Sequence, residues 1–392
     1  MKKLMVMGAG IYQVPLIKAA REMGIYTIAV SIPGNYPGFG YADEVLHINT
    51  VDSEAVLKAA QERQIDGICT AGTDVAVMTI GRVNDALGLS GISYEAAKIA
   101  CDKVLMKQAY EANGVRTAKY RKVYFNEDVN EKIKGLEYPL IVKIVDSSGS
   151  RGITRVDSPD RLQAAILNAQ SFTRKDYYIV EEFIIGREFG AQAFVMDGKV
   201  QFVLPHGDYI FLGSTGVPAG HFAPYALSEE GERDCIETTE KAIRAMRLDN
   251  CAVNCDFIMR DGRTYVLEIG GRSGATCLAE LVSIYYGYDY YRKIIQVALG
   301  QKPDFPTDKA VPNASKLLMS DRDGTIFSLA NRNPKDSEHI VEVKFDYTVG
   351  DTVKKFHVGP NRIGHVITKG GTLAEATAAL DKALEHIEIG VS

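Results

Sequence analysis

The chain has 392 residues, 46% of them apolar and 24% charged, with a formal net charge of -5. That length accommodates two or three domains around buried cores, and the acidic balance gives no reason to expect nucleic acid or an anionic membrane as partner. Six cysteines without C-x-x-C spacing fall mostly in apolar segments, as reduced thiols of a cytoplasmic protein do, and no apolar run approaches the roughly 20 residues that span a bilayer.

Leu4–Met7 reads as a strand ending in Gly8-Ala9-Gly10, followed by a helix to about Met23. Strands Thr27–Ser31 and Val45–Ile48, helix Ser53–Arg63, strand Gly67–Thr70 and a helix from Asp74 to Leu87 come next. Strands alternating with helices predict a doubly wound parallel α/β domain over residues 1–113. The Gly8-x-Gly10 turn invites a dinucleotide reading, because glycines at such a turn let backbone approach a phosphate. Two features weaken it: the third glycine position is Gln13, and the second strand ends at Ser31 with no acid to hold a ribose. From Ser93 a helical pattern carrying Asp102, Lys103 and Lys107 runs to Asn113, and Gly114 ends it.

In the next apolar strand, Pro139–Val145, the one charge is Lys143, costly unless its ammonium finds an anion. The loop after it, Asp146-Ser-Ser-Gly-Ser-Arg-Gly152, offers a series of backbone N–H groups to phosphate, though an ordinary hairpin loop has the same composition. Tyr177–Ile185 is a strand in which Glu181 and Glu182 face opposite sides. A hairpin around Asp197-Gly198 follows; His206 and His221 are read into a Gly- and Pro-rich loop, without the spacing of a zinc motif. Ser228 caps a helix to about Met246.

Asn254–Arg272 then forms two alternating runs around Asp261-Gly262, a strong hairpin signal. Asp256 and Glu268 lie about equally far from that turn, so pairing the strands sets both carboxylates side by side. Adjacent acids are tolerated around a hard cation such as Mg²⁺, and two acids on a solvated face give the same pattern. Helices Cys277–Tyr286 and Tyr288–Leu299 lead to a Pro-rich linker and a last α+β domain over 303–392, whose closing helix opens with the capping box Thr372-x-x-Glu375.

No P-loop, kinase or serine-hydrolase motif occurs. What remains is an ordered series of Lys103, Lys143 with its Ser/Gly loop, Glu181, Glu188, Asp256, Glu268 and Arg272. In this series the chain resembles the ATP-grasp superfamily, and its C-terminal domain, with the turn Asn361-Arg362-Ile363-Gly364-His365, looks most like that of the carboxylate–amine ligase branch and the L-amino acid ligases within it. The resemblance implies an ATP-grasp domain over 114–302 between the two flanking domains. It implies that Lys103 and Lys143 bind the ATP phosphates, beneath a glycine-rich segment containing Ser147, Ser148, Gly149 and Gly152. Glu181, Glu182, Phe183 and Ile184 would read the adenine, Glu188 would hold the ribose, and Asp256 with Glu268 would bind Mg²⁺ or Mn²⁺. Arg272 would orient the substrate carboxylate or steady the tetrahedral intermediate, with His221 as a further substrate contact.

The family pattern E-x-N-x-R reads Glu268-Ile-Gly270-Gly-Arg272 here, which leaves a water, Asn254 or Asp256 to complete the metal site. The implied reaction activates a carboxylate as an acyl phosphate for attack by an amine. Its partners are small molecules, and assembly as a homodimer is left open. Two other readings stand beside it: a biotin-carboxylase-like or nucleotide-biosynthetic member, whose sugar phosphate could sit on the Gly8–Gly10 turn, and a nucleotide-binding regulator without turnover.

Overall fold

The computed structural model describes residues 1–146, 152–212 and 216–392. Ser147, Ser148 and Gly149, expected at the phosphates, lie outside the described residues. The N-terminal elements are β1 (Lys3–Met7), α1 (Val14–Glu22), β2 (Tyr26–Ser31), β3 (Glu44–His47), α2 (Ser53–Arg63), β4 (Gly67–Cys69) and α3 (Val77–Leu87). Their strands form a parallel sheet in the order β3-β2-β1-β4. Met5, Met7, Ile28 and Val30 pack beneath α2 and α3, whereas Leu4, Val6 and Ala29 pack against α1. Successive side chains of a strand point to opposite faces, so these near-continuous apolar runs are covered on both sides, as a doubly wound sheet requires.

The helical stretch after Ser93 divides into α4 (Tyr94–Ala100) and α5 (Lys103–Ala112). The break is a cap: the Asp102 carboxylate accepts the Val104 and Leu105 N–H groups. Gly114 ends α5 at a φ of +61°.

A smaller antiparallel sheet is built from β5 (Tyr120–Tyr124), β6 (Leu140–Lys143), β7 (Ile153–Val156) and β8 (Tyr177–Glu182), in the order β5-β8-β6-β7. Helices α6 (Val129–Lys132) and α7 (Leu162–Gln170) belong to this unit. The larger body continues through β9 (Arg187–Met196), β10 (Lys199–Leu212), β11 (Gly216–Ala223), α8 (Glu229–Ala245), β12 (Cys251–Arg260), β13 (Arg263–Gly270), α9 (Leu278–Tyr286) and α10 (Tyr290–Ala298). The C-terminal elements are β14 (Asn313–Leu318), β15 (Gly324–Asn331), β16 (Ile340–Phe345), β17 (Thr352–Val353), β18 (Gly364–Lys369), α11 (Leu373–Glu385) and β19 (Ile387–Val391).

The Pro-rich linker does not interrupt the sheet: β13-β12-β9-β10-β11-β14-β18-β16 form one eight-stranded sheet, with β14 paired to β11 across the linker. The sequence reading that put His206 and His221 in a loop is corrected here, because β10 runs on to Leu212 and pairs with β11. Its glycine and proline belong to the ladder rather than to a turn. Gly207 faces Phe222, whose ring would lie 2.0 Å from an added Cβ, and Pro205 pairs with Ala191 while its carbonyl accepts the Tyr225 N–H.

The junction is tight at Gly220 on β11, where an added Cβ would lie 2.2 Å from the Ser315 carbonyl of β14. Overpacking against backbone forces strands apart. Gly220→Ala is expected to destabilise the protein by roughly 1–3 kcal/mol, read as a lower urea midpoint; an unchanged midpoint would show that the junction yields.

Candidate active site

The β12–β13 hairpin turns at Asp261 (φ +51°) and Gly262 (φ +73°), both in the left-handed region that a type I′ turn needs. The resulting register sets Asp256 opposite Glu268 and Asn254 opposite Gly270. The carboxylates therefore share a face. Asp256 is exposed on this face, with protein packed around it. Burial first, and the Glu268 charge second, push the Asp256 carboxyl up to about 7. Lys103, at the start of α5, is buried with Nζ 2.8 Å from Glu268 Oε1. Burial pulls this ammonium down, and Glu268 and Asp74 more than offset it.

A second charged cluster lies on the smaller sheet. Glu181, on the inner strand β8, is fully enclosed and meets Lys143 Nζ at 2.8 Å and Lys107 Nζ at 3.1 Å, one lysine on each carboxylate oxygen. Burial pushes the Glu181 carboxyl up, but the two lysines outweigh it and hold the group below the usual range. Burial pulls the Lys107 ammonium down to about 8 against the opposing pull of Glu181.

The Glu181 side chain thus faces lysines. Glu182 instead accepts from Lys119 at 3.3 Å and from the Glu137 N–H at 3.1 Å. The backbone N–H of Glu182 donates to Lys119 and that of Phe183 to Pro139, the Arg155 guanidinium lies over the Phe183 ring, and Ile184 is buried with Ala118 and Ile258. Gly152 has a φ of +64° and lies against Ile144. Glu188, exposed at the start of β9, has its carboxyl pushed up by burial and by Asp208.

Arg272 forms a two-pronged ion pair with Asp74, at 2.7 Å for both Nε–Oδ1 and Nη2–Oδ2. This pair explains the departure at Gly270: an added Cβ there would lie 2.9 Å from Asp74 Oδ1, so the Asp74 carboxylate fills the space that an asparagine side chain would need. Asn254, one of the groups left to complete the site, is held in a chain of hydrogen bonds. Its Oδ1 accepts from Gln192 Nε2 at 2.6 Å, and its Nδ2 faces Asp256 Oδ1 at 3.4 Å. The hard oxygen donors that converge are those of Asp256 and Glu268, a set suited to Mg²⁺ or Mn²⁺.

The Gly8–Gly10 turn is also filled. Gln13 Oε1 accepts the Gly10 N–H at 2.9 Å while its Nε2 donates to Ala71 at 2.6 Å, so a neutral amide takes the place that a phosphate was considered for. His221, 3% exposed on β11, bonds through Nδ1 to Asp208 Oδ1 at 2.6 Å.

The structure brings Lys103, Asp256 and Glu268 together and joins Lys143 to Glu181. Three participants escaped the sequence reading. Lys107 carried a signal, since it sits one helical turn after Lys103 on the same face. Asp74 follows β4 and was read only as a helix start. Asp208 gave no signal, because its strand was taken for a loop.

The ATP-grasp domain family matches residues 100–276, and the family described as L-amino acid ligase C-terminal domain 2 matches residues 316–392. A D-alanine–D-alanine ligase from Geobacter sulfurreducens is 30% identical over 267 residues, covering 60% of this chain and 83% of that protein. The crystal structure of phosphoribosylglycinamide synthetase from Anaerococcus prevotii superposes with a TM-score of 0.88 at 34% identity, covering all of both chains. That of L-amino acid ligase from Bacillus licheniformis shares the fold, with a TM-score of 0.82 at 19% identity over 100% of this chain and 99% of that one. The chain belongs to the ATP-grasp family, and it is an ATP-dependent carboxylate–amine ligase.

Proposed function

We propose that the protein ligates amino acids, activating the carboxylate of one as an acyl phosphate for attack by the amine of another, with release of ADP and phosphate. The observation that carries this reading is the pairing of Asp256 with Glu268 beside Lys103, on a chain that ends in a match to the L-amino acid ligase C-terminal domain. A carboxylate resists amines because its charge is delocalised and its leaving group would be oxide. Phosphorylation supplies a leaving group, and the protein's share is positioning and charge neutralisation.

Asp256 and Glu268 would hold Mg²⁺, which when bound would supply positive charge at the phosphates. Lys103 and Lys143 add theirs by exchanging carboxylate partners for phosphate oxygens, while Lys107 keeps Glu181 neutralised when Lys143 turns away. Glu188 would hold the ribose, and the backbone of 181–184 would border the adenine. Arg272, aligned by Asp74, presents a planar fork to the substrate carboxylate. The sequence domains 1–113, 114–302 and 303–392 are kept as units of this reading, in a cytoplasmic enzyme acting on small molecules, as a monomer or a homodimer.

A second reading follows from the likeness to phosphoribosylglycinamide synthetase, in which the amine would be carried by a phosphorylated sugar. Phosphate release measured with ATP, Mg²⁺ and an array of paired L- and D-amino acids separates the two. Release with an amino-acid pair supports ligation; release confined to glycine with phosphoribosylamine favours the second reading. Silence across both sets, with ATP still bound, would favour a regulator without turnover.

Lys143→Ala should lower kcat/KM for ATP at least about a hundredfold, the scale of one lost electrostatic contact in a catalytic site. Its circular dichroism should stay unchanged, since Lys107 still neutralises Glu181. Near-parental kcat/KM would remove Lys143 from the phosphate site. Asp256→Asn probes the raised carboxyl. A folded-state pKa near 7, above the ordinary value of 3.8, means that ionising Asp256 costs stability, little below pH 4 and fully above about pH 7. In EDTA the variant should therefore melt above the parent at pH 8, by a margin that shrinks towards pH 4. A margin independent of pH would refute the assignment.

A further inference from the structure

Beside the acid pair runs a polar network whose direction can be read bond by bond. Asn254 Nδ2 faces Asp256 Oδ1 at 3.4 Å; the reversed amide would set an oxygen against a carboxylate. Asn254 Oδ1 therefore faces Gln192, whose Nε2 donates to it at 2.6 Å while its Oε1 accepts the Gly274 N–H at 2.8 Å. An amide fixed at both ends also turns its Nε2 toward His206 Nε2, 3.5 Å away. The carboxylate beside Nδ1 of this ring calls for a proton on that nitrogen. His206 Nδ1–H donates to Asp208 Oδ1 at 3.0 Å, and His221 Nδ1–H donates to the same oxygen at 2.6 Å.

The two imidazoles are buried; the Asp208 side chain is 26% exposed. Gly190 clears the ground for this arrangement, since a Cβ there would lie 2.2 Å from His206 Cε1. Asp208 Oδ1 is thus saturated, and Oδ2 has no bonding partner among the described residues. Pairing places the group on the active-site face: Glu268 stands opposite Asp256, Asp256 opposite Gly190, and Gly190 opposite His206. Asp208 lies two residues after His206 and Glu188 two before Gly190, so both share the face of that row. Four carboxylates then line one surface, where Lys103 neutralises Glu268. Burial pushes the Asp208 carboxyl up, but the two imidazoles outweigh it and keep the group ionised. Strand β10 lies two steps from β12, about 10 Å at the usual spacing, which leaves room between for a phosphate and an acyl group.

We propose that Asp208 Oδ2 receives the ammonium group of the amine substrate, with His206 and His221 as positioning residues that fix the carboxylate. The inference rests on the ligase reading and adds a place for its second reactant. So strongly ionised a carboxylate anchors an ammonium rather than taking its proton.

Asp208→Asn keeps an oxygen for the two imidazoles and removes the charge. The test compares proteinogenic amino acids, whose amines arrive as ammonium, with hydroxylamine, which is uncharged near neutral pH, as acceptors for the same acyl donor. The ratio of amino-acid to hydroxylamine kcat/KM should fall about tenfold in the variant, or about 1.4 kcal/mol, through KM for the amino acid. Asp208→Glu should recover part of that ratio, and it carries the comparison if the asparagine variant does not fold. A ratio unchanged in both variants would overturn the proposal. So would stoichiometric Mn²⁺ binding without ATP that Asp208→Asn abolishes, since the site would then be a metal centre. Absence of hydroxamate from the parent with every donor would sink the ligase reading first and this inference with it.

Discussion

A carboxylate sealed in protein is tolerated only when cations accompany it, and Glu181 brings two. Lys107 comes from α5 and Lys143 from β6, so this buried trio fastens a helix leading out of the N-terminal unit to the smaller sheet. The same helix carries Lys103 to Glu268. One short helix therefore spans two anionic poles, one on each sheet. The three lysines are all held by carboxylates, so this part of the molecule is assembled around internal ion pairs.

The acid pair on the hairpin shows the same economy. Its repulsion is moderated by Lys103 on one side and by Arg272 beyond it, itself bound to Asp74. Gly270 matters because it admits Asp74. A side chain at that position would occupy the space of the carboxylate that aligns Arg272. A departure from the family pattern thus becomes a substitution of one polar contact by another, supplied from β4's end of the N-terminal sheet.

Much of this was legible in the sequence wherever a local rule sets geometry. Asp261-Gly262 fixes the hairpin turn, the turn fixes the register, and the register pairs Asp256 with Glu268. Lys143 was conspicuous because it interrupts an apolar strand. Contacts between distant segments were not legible. Glu181 looked like one of two acids at a strand edge until β5 and β6 closed on either side of it. Asp74 meets Arg272 from 198 positions away, and no local pattern marks such a pair. The Gly- and Pro-rich composition misled because its usual meaning is a loop, whereas here Gly207 and Pro205 sit within a ladder and answer to a neighbouring ring and to a carbonyl.

The continuity of the large sheet constrains motion. Because β14 extends the ladder of β11, the C-terminal elements are laced by backbone hydrogen bonds to the strands that carry Asp208, Glu188 and Asp256. They form part of the floor. Among the described residues the sheet β5-β8-β6-β7 shares no strand ladder with that floor, apart from the single bridge of Thr117 to Val266 near its root. Any jaw-like opening that admits a nucleotide must then swing this smaller sheet about the segments at Thr117 and Ile184; the Glu181–Lys143 pair travels with it, whereas the Glu181–Lys107 pair ties it to α5.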